Sequence, residues 1–199
     1  MLRSALLALL LAATAGCAGA YGPNAGSKPA ETAIETPVMR WAHRPEANLW
    51  TASTVRAIRA HGATLPATTP SDIDAWCPGY RDGTVEEREM FWVGLLSALA
   101  KHESTWQPAA VGGGGKWFGL TQISPATARG YGCEAQSGNA LKDGAANLSC
   151  AVRIMAGKAT RNRGAGLSAV ASDWGPFHSA SKRAEMRAWT QAQPFCRAE

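Results

Sequence analysis

Glu103 is the residue of this chain best suited to chemistry. It stands in Lys101-His102-Glu103-Ser104-Thr105-Trp106, directly after an apolar run carrying Met90, Phe91, Val93, Leu95, Leu96 and Leu99. On a helix, Glu103 shares a face with Leu99, Leu96 and Trp92, at offsets of four, seven and eleven. A carboxyl at the end of such a stripe loses water, and the negative end of the helix dipole lies beside it. Both effects disfavour the ionised form. A carboxyl with a raised pKa is what a general acid needs near neutral pH. A glycine-rich aromatic stretch follows, from Gly112-Gly113-Gly114-Gly115 through Lys116-Trp117-Phe118-Gly119-Leu120 to Thr121-Gln122-Ile123. The four glycines permit close backbone approach to a ligand or form a surface loop. No strand precedes them, so they do not fit a phosphate-binding loop.

The elements that must hold these residues read as helical. Thr84-Val85-Glu86-Glu87 has the pattern of a capping box, Thr84 at the cap and Glu87 three residues on. The helix it opens is apolar nearly all round, which predicts a central, buried position. Thr51 is expected to cap a helix running to about His61, stopped by Gly62, and Thr69-Pro70-Ser71-Asp72 to start a short helix through Trp76. Ser124-Pro125 opens another, ended by Gly130. Leu148, Val152 and Met155 form the apolar stripe of a further helix, followed by Gly157 and the basic Lys158, Arg161 and Arg163. Leu167–Ala171 and Ser181–Gln191 complete the set. No segment alternates as a strand should, so the expected class is all-α. Trp41, Trp50, Trp76 and Trp189 are expected in the core.

The ends of the chain bound where it works. A positive start, an apolar run from Ser4 to Ala15 and Gly16-Cys17 read as a secretory signal peptide over residues 1–16, with Cys17 as a lipidation site. Ala18 after that cysteine favours the inner face of an outer membrane, hence a periplasmic, anchored protein. Ordinary cleavage after Ala18-Gly19-Ala20 is the other reading. Residues 17–40, rich in Ala, Gly, Pro, Thr and Glu, read as a tether, and residues 41–199 as one domain. Setting Cys17 aside leaves Cys77, Cys133, Cys150 and Cys196, an even set suited to two disulfides in an oxidising compartment. Of the three pairings, Cys133–Cys150 closes a short loop and Cys77–Cys196 ties the start of the domain to its end. A zinc site is disfavoured by the lack of C-x-x-C or H-x-H spacing. Residues 100–199 hold 12 Lys/Arg against 6 Asp/Glu, and this basic half suits an anionic polymer. No basic-aromatic motif suggests nucleic acid.

Taken in order, Glu103-Ser104, Gly119-Leu120, Gln122-Ile123 and Pro125-Ala126-Thr127-Ala128 resemble the soluble lytic transglycosylase family, to within about one inserted residue. The resemblance spans Thr84 to Pro176. It implies a lysozyme-like helical domain that cleaves peptidoglycan glycan strands between N-acetylmuramic acid and N-acetylglucosamine, with no metal or cofactor. In that family one glutamate, here Glu103, protonates the leaving oxygen. It then takes a proton from the muramic acid's C6 hydroxyl, which closes an anhydro ring without water. Ser104 corresponds to the serine that positions carboxylate or substrate. Gln122 corresponds to the glutamine of the family's Gly-Leu-Met-Gln turn, with Thr121 in the methionine position. Phe118, with Trp117, either stacks on sugar or belongs to the core, and Gly119 opens the turn.

The chain departs from the family where an Ala-Tyr-Asn-x-Gly stretch is usual: it has Ala171-Ser172-Asp173-Trp174-Gly175. Asp173 is therefore a substrate-binding candidate. It is also the candidate base of a water-using, lysozyme-like muramidase, since hydrolases of this shape use two carboxylates. A cell-wall-binding module without catalysis is the third reading. His102 and His178 are expected to be surface or satisfied histidines.

Overall fold

The computed structural model describes residues 37–197; the expected leader, Cys17 and the tether up to residue 36 lie outside them. The helices are α1 (Ala47–His61), α2 (Thr64–Ala67), α3 (Val85–Ser104), α4 (Pro125–Gly130), α5 (Gly144–Arg161), α6 (Leu167–Val170) and α7 (Ala180–Gln191), with 3-10 turns in the connections α2–α3, α4–α5 and α6–α7. The class is all-α and lysozyme-like, as expected.

Helix α3 is the central element. The Thr84 hydroxyl accepts the Glu87 N–H at 3.2 Å, and the Glu87 carboxylate accepts the Thr84 N–H at 2.7 Å. The capping box therefore satisfies two N-terminal donors and fixes where the helix begins. From Phe91 to Ala100 every residue is buried. Each large side chain removed from water there contributes about 1.5–3 kcal/mol. Helices α1, α2 and α7 pack on α3, and α1 packs along α5. Leu148, Val152 and Met155 are buried on α5, as are Trp41, Trp50 and Trp76 in the core; Trp189 is only half-buried.

Several boundaries differ from expectation. Helix α1 begins at Ala47, a turn before Thr51, because no breaker lies between Pro45 and Thr51 and Trp50 is buried; Thr51 lies inside the helix, and its hydroxyl accepts the Trp41 indole N–H at 3.0 Å. The short helix expected from Thr69 is a single 3-10 turn, Ile73–Ala75, and α2 forms ahead of it. Helix α5 runs through Gly157 to Arg161. A two-residue hairpin, β1 (Val111–Gly112) with β2 (Trp117–Phe118), occupies the glycine-rich stretch. Its turn places Gly113, Gly114 and Gly115 at φ values of 56°, 64° and 91°, a left-handed path open to glycine, so the glycine run makes a hairpin turn. Ordered packing also starts before Trp41: Met39 is buried, and Arg40 pairs with Glu185.

Both disulfides form as expected. Cys133–Cys150 staples α5 to the loop after α4, and Cys77–Cys196 closes a separation of 119 residues. Cross-linking restricts the unfolded chain more as the closed loop lengthens. Replacing Cys77 and Cys196 by alanine should cost about 5 kcal/mol, and replacing Cys133 and Cys150 about 3 kcal/mol. Urea denaturation of the two double variants checks the order.

Candidate active site

Glu103 lies in the last turn of α3, and the chain reverses directly after it. Thr105 and Trp106 both take left-handed conformations, φ 51° and 56°. Such angles cost L-residues roughly 1–2 kcal/mol each. They are held by the Trp106 N–H donating to the Ala100 carbonyl (3.2 Å) and by its indole N–H donating to the Ser97 carbonyl (2.8 Å). The His43 ring packs edge-on against Trp106, centroids 4.6 Å apart. The helix end that presents Glu103 is thus fixed from both sides.

The loop after the hairpin is held by three side chains, Ser104 from this helix end, Asn147 from α5 and Trp174 from the segment after α6. The Ser104 hydroxyl donates to the Leu120 carbonyl at 2.8 Å. Asn147, fully buried on α5, accepts the Thr121 N–H (2.9 Å) and hydroxyl (2.7 Å) and donates to the Phe118 and Leu141 carbonyls (2.9 and 3.0 Å). The Trp174 indole N–H donates to the Thr121 carbonyl at 2.8 Å. Gly119, at φ 82°, sits so close to Asn147 and the Leu141 carbonyl that a Cβ would overlap both. Only glycine fits that turn.

The expected site residues divide by what they touch. Ser104 holds the loop against α3, and Gly119 lets it pass close to Asn147 and the Leu141 carbonyl. Gln122, itself at φ 50°, donates through its amide to the Gly119 carbonyl at 2.9 Å and the Ala110 carbonyl at 3.3 Å, so both donors serve its own loop. Phe118 is half-buried against Gly138, with the Lys142 ammonium 5.9 Å from its ring centre. Trp117 lies over Gly113 and is 47% exposed. Asp173 is ion-paired with Lys158 at 2.6 Å, and the same ammonium donates to Ser172 at 3.0 Å. His102 is satisfied by Glu185 (2.8 Å), and His178 lies against the Ser172 carbonyl (2.9 Å).

Asn147, Trp174, Lys158 and Glu185 are the participants that sequence reasoning missed. Asn147 carried a signal: a polar residue on the α5 face that also presents Ala151 and Ile154.

The Glu103 carboxyl makes no hydrogen bond or ion pair with any described residue. Burial pushes it up from 4.5 to about 7, and the nearby Lys182 ammonium pulls partly against that. Glu185 is opposite in character. Arg40, Lys101 (2.6 Å) and His102 surround it and hold it well below the usual carboxylate range. Two surface cavities, of about 550 and 340 Å³, lie elsewhere, beside α2 around Ala63 and Ala67. The site is therefore assigned from the environment of Glu103 and not from cavity size.

The Transglycosylase SLT domain family model matches residues 83–188, more than half of the chain. The chain belongs to the SLT family. The match extends past Pro176 into α7, further than the sequence motifs reach. Among solved structures the SLT domain is similar to wild-type Bd0314 DslA, with 25% identity and a TM-score of 0.67 over 77% of this chain and 94% of that one. Two glutamate-to-glutamine mutants of the same protein match at 24% identity, with TM-scores of 0.70 and 0.71; they cover 81% and 80% of this chain and 99% and 98% of theirs. No curated protein sequence matches the chain.

The environment of Glu103 has a consequence for stability. Its folded pKa lies above the unfolded value, so the native SLT domain binds more protons than the unfolded chain between about pH 4.5 and 7. Native stability therefore falls as pH rises through that window. Glu103→Gln removes the cost of ionising a buried carboxyl. At pH 8 it should stabilise the domain by up to about 3 kcal/mol, and at pH 4 it should be neutral. Urea midpoints of both proteins at the two pH values measure this.

Proposed function

We propose that this SLT domain cleaves peptidoglycan between N-acetylmuramic acid and N-acetylglucosamine with Glu103 as its one acid and base. The observation that carries the reading is the Glu103 carboxyl itself: half-buried at the end of α3, without a polar partner among the described residues, and pushed up to about 7 by its burial. Protonated, it gives its proton to the glycosidic oxygen as the bond to the muramic C1 breaks. As a carboxylate, it takes the proton from the muramic C6 hydroxyl as that oxygen closes on C1. The glutamate is regenerated, the product is an anhydro-muramic end, and no water is consumed. General-acid competence falls as pH rises through about 7.

The surroundings support one carboxylate in place of two. A water-using mechanism needs a second carboxylate free to act as a base. Asp173 is engaged by Lys158, and Glu185 by Arg40, Lys101 and His102. No acidic residue occurs between Glu103 and Glu134. Two of the DslA structures carry glutamine at glutamates eleven positions apart; here the positions eleven residues to either side of Glu103 are Trp92 and Gly114. Ser104, Gly119 and Gln122 act on this reading by shaping the loop beside the acid, with Phe118 as a wall. The two disulfides fit the proposed export to an oxidising periplasm, with Cys17 as outer-membrane anchor.

Mass spectrometry of fragments released from intact sacculi tests the reading. Anhydro-muramic ends are expected from the wild type and from Asp173→Asn, with release by Glu103→Gln reduced at least about 1,000-fold. Reducing ends from the wild type, lost in Asp173→Asn, would establish hydrolysis instead.

A further inference from the structure

Residues 39–44 lie well before the stretch 83–188 that the family model matches, yet they pack on the end of α3 that presents Glu103. Trp41 anchors this segment to α1. Its buried indole donates to the Thr51 hydroxyl at 3.0 Å and meets Trp50 edge-on, with ring centroids 5.8 Å apart. Met39 is buried in the same core.

On either side of Trp41 the segment reaches α3. The Arg40 N–H donates to the Ser97 hydroxyl at 3.2 Å, and the Ser97 carbonyl accepts the Trp106 indole N–H at 2.8 Å. One buried residue of α3 thus ties the segment to the chain reversal after Glu103. The Arg40 guanidinium donates to Glu185 at 2.8 Å, and the same carboxylate meets Lys101 at 2.6 Å and His102 at 2.8 Å, the two residues before Glu103. His43 packs edge-on against Trp106, three residues after Glu103, with centroids 4.6 Å apart. Trp106 is left-handed at φ 56°, a conformation that persists only where the surroundings over-determine it. Its ring is partly buried, and His43 supplies packing from outside α3.

We propose that Met39–Arg44 is a positioning strap of the active site, in which Arg40 and His43 hold the last turn of α3 so that Glu103 meets the glycosidic oxygen in register. They act through Ser97, Glu185 and Trp106, not on the substrate. The functional unit then begins at Met39, well upstream of the family boundary at Gly83. This rests on the glycan-cleaving function proposed above.

The test is kcat and KM of the full-length protein on soluble peptidoglycan strands, for the wild type, R40M/H43A, R40K/H43F and R59M. R59M breaks the Arg59 pair with Glu89 (2.7 Å), which links α1 to the early part of α3, and so lowers stability away from Glu103. All are assayed where urea unfolding shows each to be folded. R40M/H43A should lose at least about tenfold in kcat with KM within about twofold of the wild type, since a misplacement of about 1 Å costs on the order of 100-fold. R40K/H43F keeps a cation on Glu185 and an aromatic edge on Trp106, and should recover most of that loss. R59M should keep its kcat while its urea midpoint falls. Unchanged kcat in R40M/H43A, no recovery in R40K/H43F, or an equal loss in R59M would overturn the strap while leaving glycan cleavage standing. A wild type that cleaves no strands would sink the glycan-cleaving reading and this inference with it.

Discussion

The amide of Asn147 lies at zero solvent exposure and has all four of its hydrogen-bonding positions occupied. Two serve the backbone and hydroxyl of Thr121, one the Phe118 carbonyl and one the Leu141 carbonyl. A buried polar group in that state is stabilising only while every partner is in place, and removing one leaves desolvated donors or acceptors behind. The loop from Phe118 to Gln122 is thereby fixed to α5, while Ser104 fixes the same loop to α3. The position of the loop relative to Glu103 depends on these two attachments. Trp174 adds a third from the segment after α6.

The Glu103 carboxyl is raised without a dedicated partner among the described residues. Helix α3 is buried over most of its length, so its last turn emerges at the edge of the core and Glu103 loses water there. The flanking Lys101 and His102 do not rescue its ionised form, because Glu185 on α7 holds both. One acidic side chain thus engages Lys101 and His102 while a second stays half-buried without a partner among the described residues. The two carboxyls are driven in opposite directions, Glu103 upward by burial and Glu185 downward by its hydrogen-bonding partners.

Much of this was legible in the chain because the determinants are local. Thr84 with Glu87, the unbroken apolar run after them and the terminal Glu103 dictate a capped, buried helix ending in an acid. Of the three possible disulfide pairings, the one expected from a short loop and a tie between the ends of the domain is the one formed. What was not legible depends on distant contacts. Gln122 has side-chain chemistry fit for a sugar, yet its donors serve the carbonyls of Ala110 and Gly119. Asp173 looked like a free second carboxylate until folding brought Lys158 beside it. The glycine run permitted a hairpin that the weak period of so few residues could not announce. Met39 and Arg40 sit in a composition typical of a tether, and only the folded Glu185 draws Arg40 in.

The proposed chemistry depends on surroundings that keep Glu103 protonated close to neutral pH. The most direct measurement is an NMR titration of the side-chain carboxyl carbon in protein labelled at glutamate, with Glu103→Gln assigning the resonance. A midpoint of about 7 is expected. A midpoint near 4.5, the ordinary glutamate value, would show that the carboxyl is solvated and contradict the account.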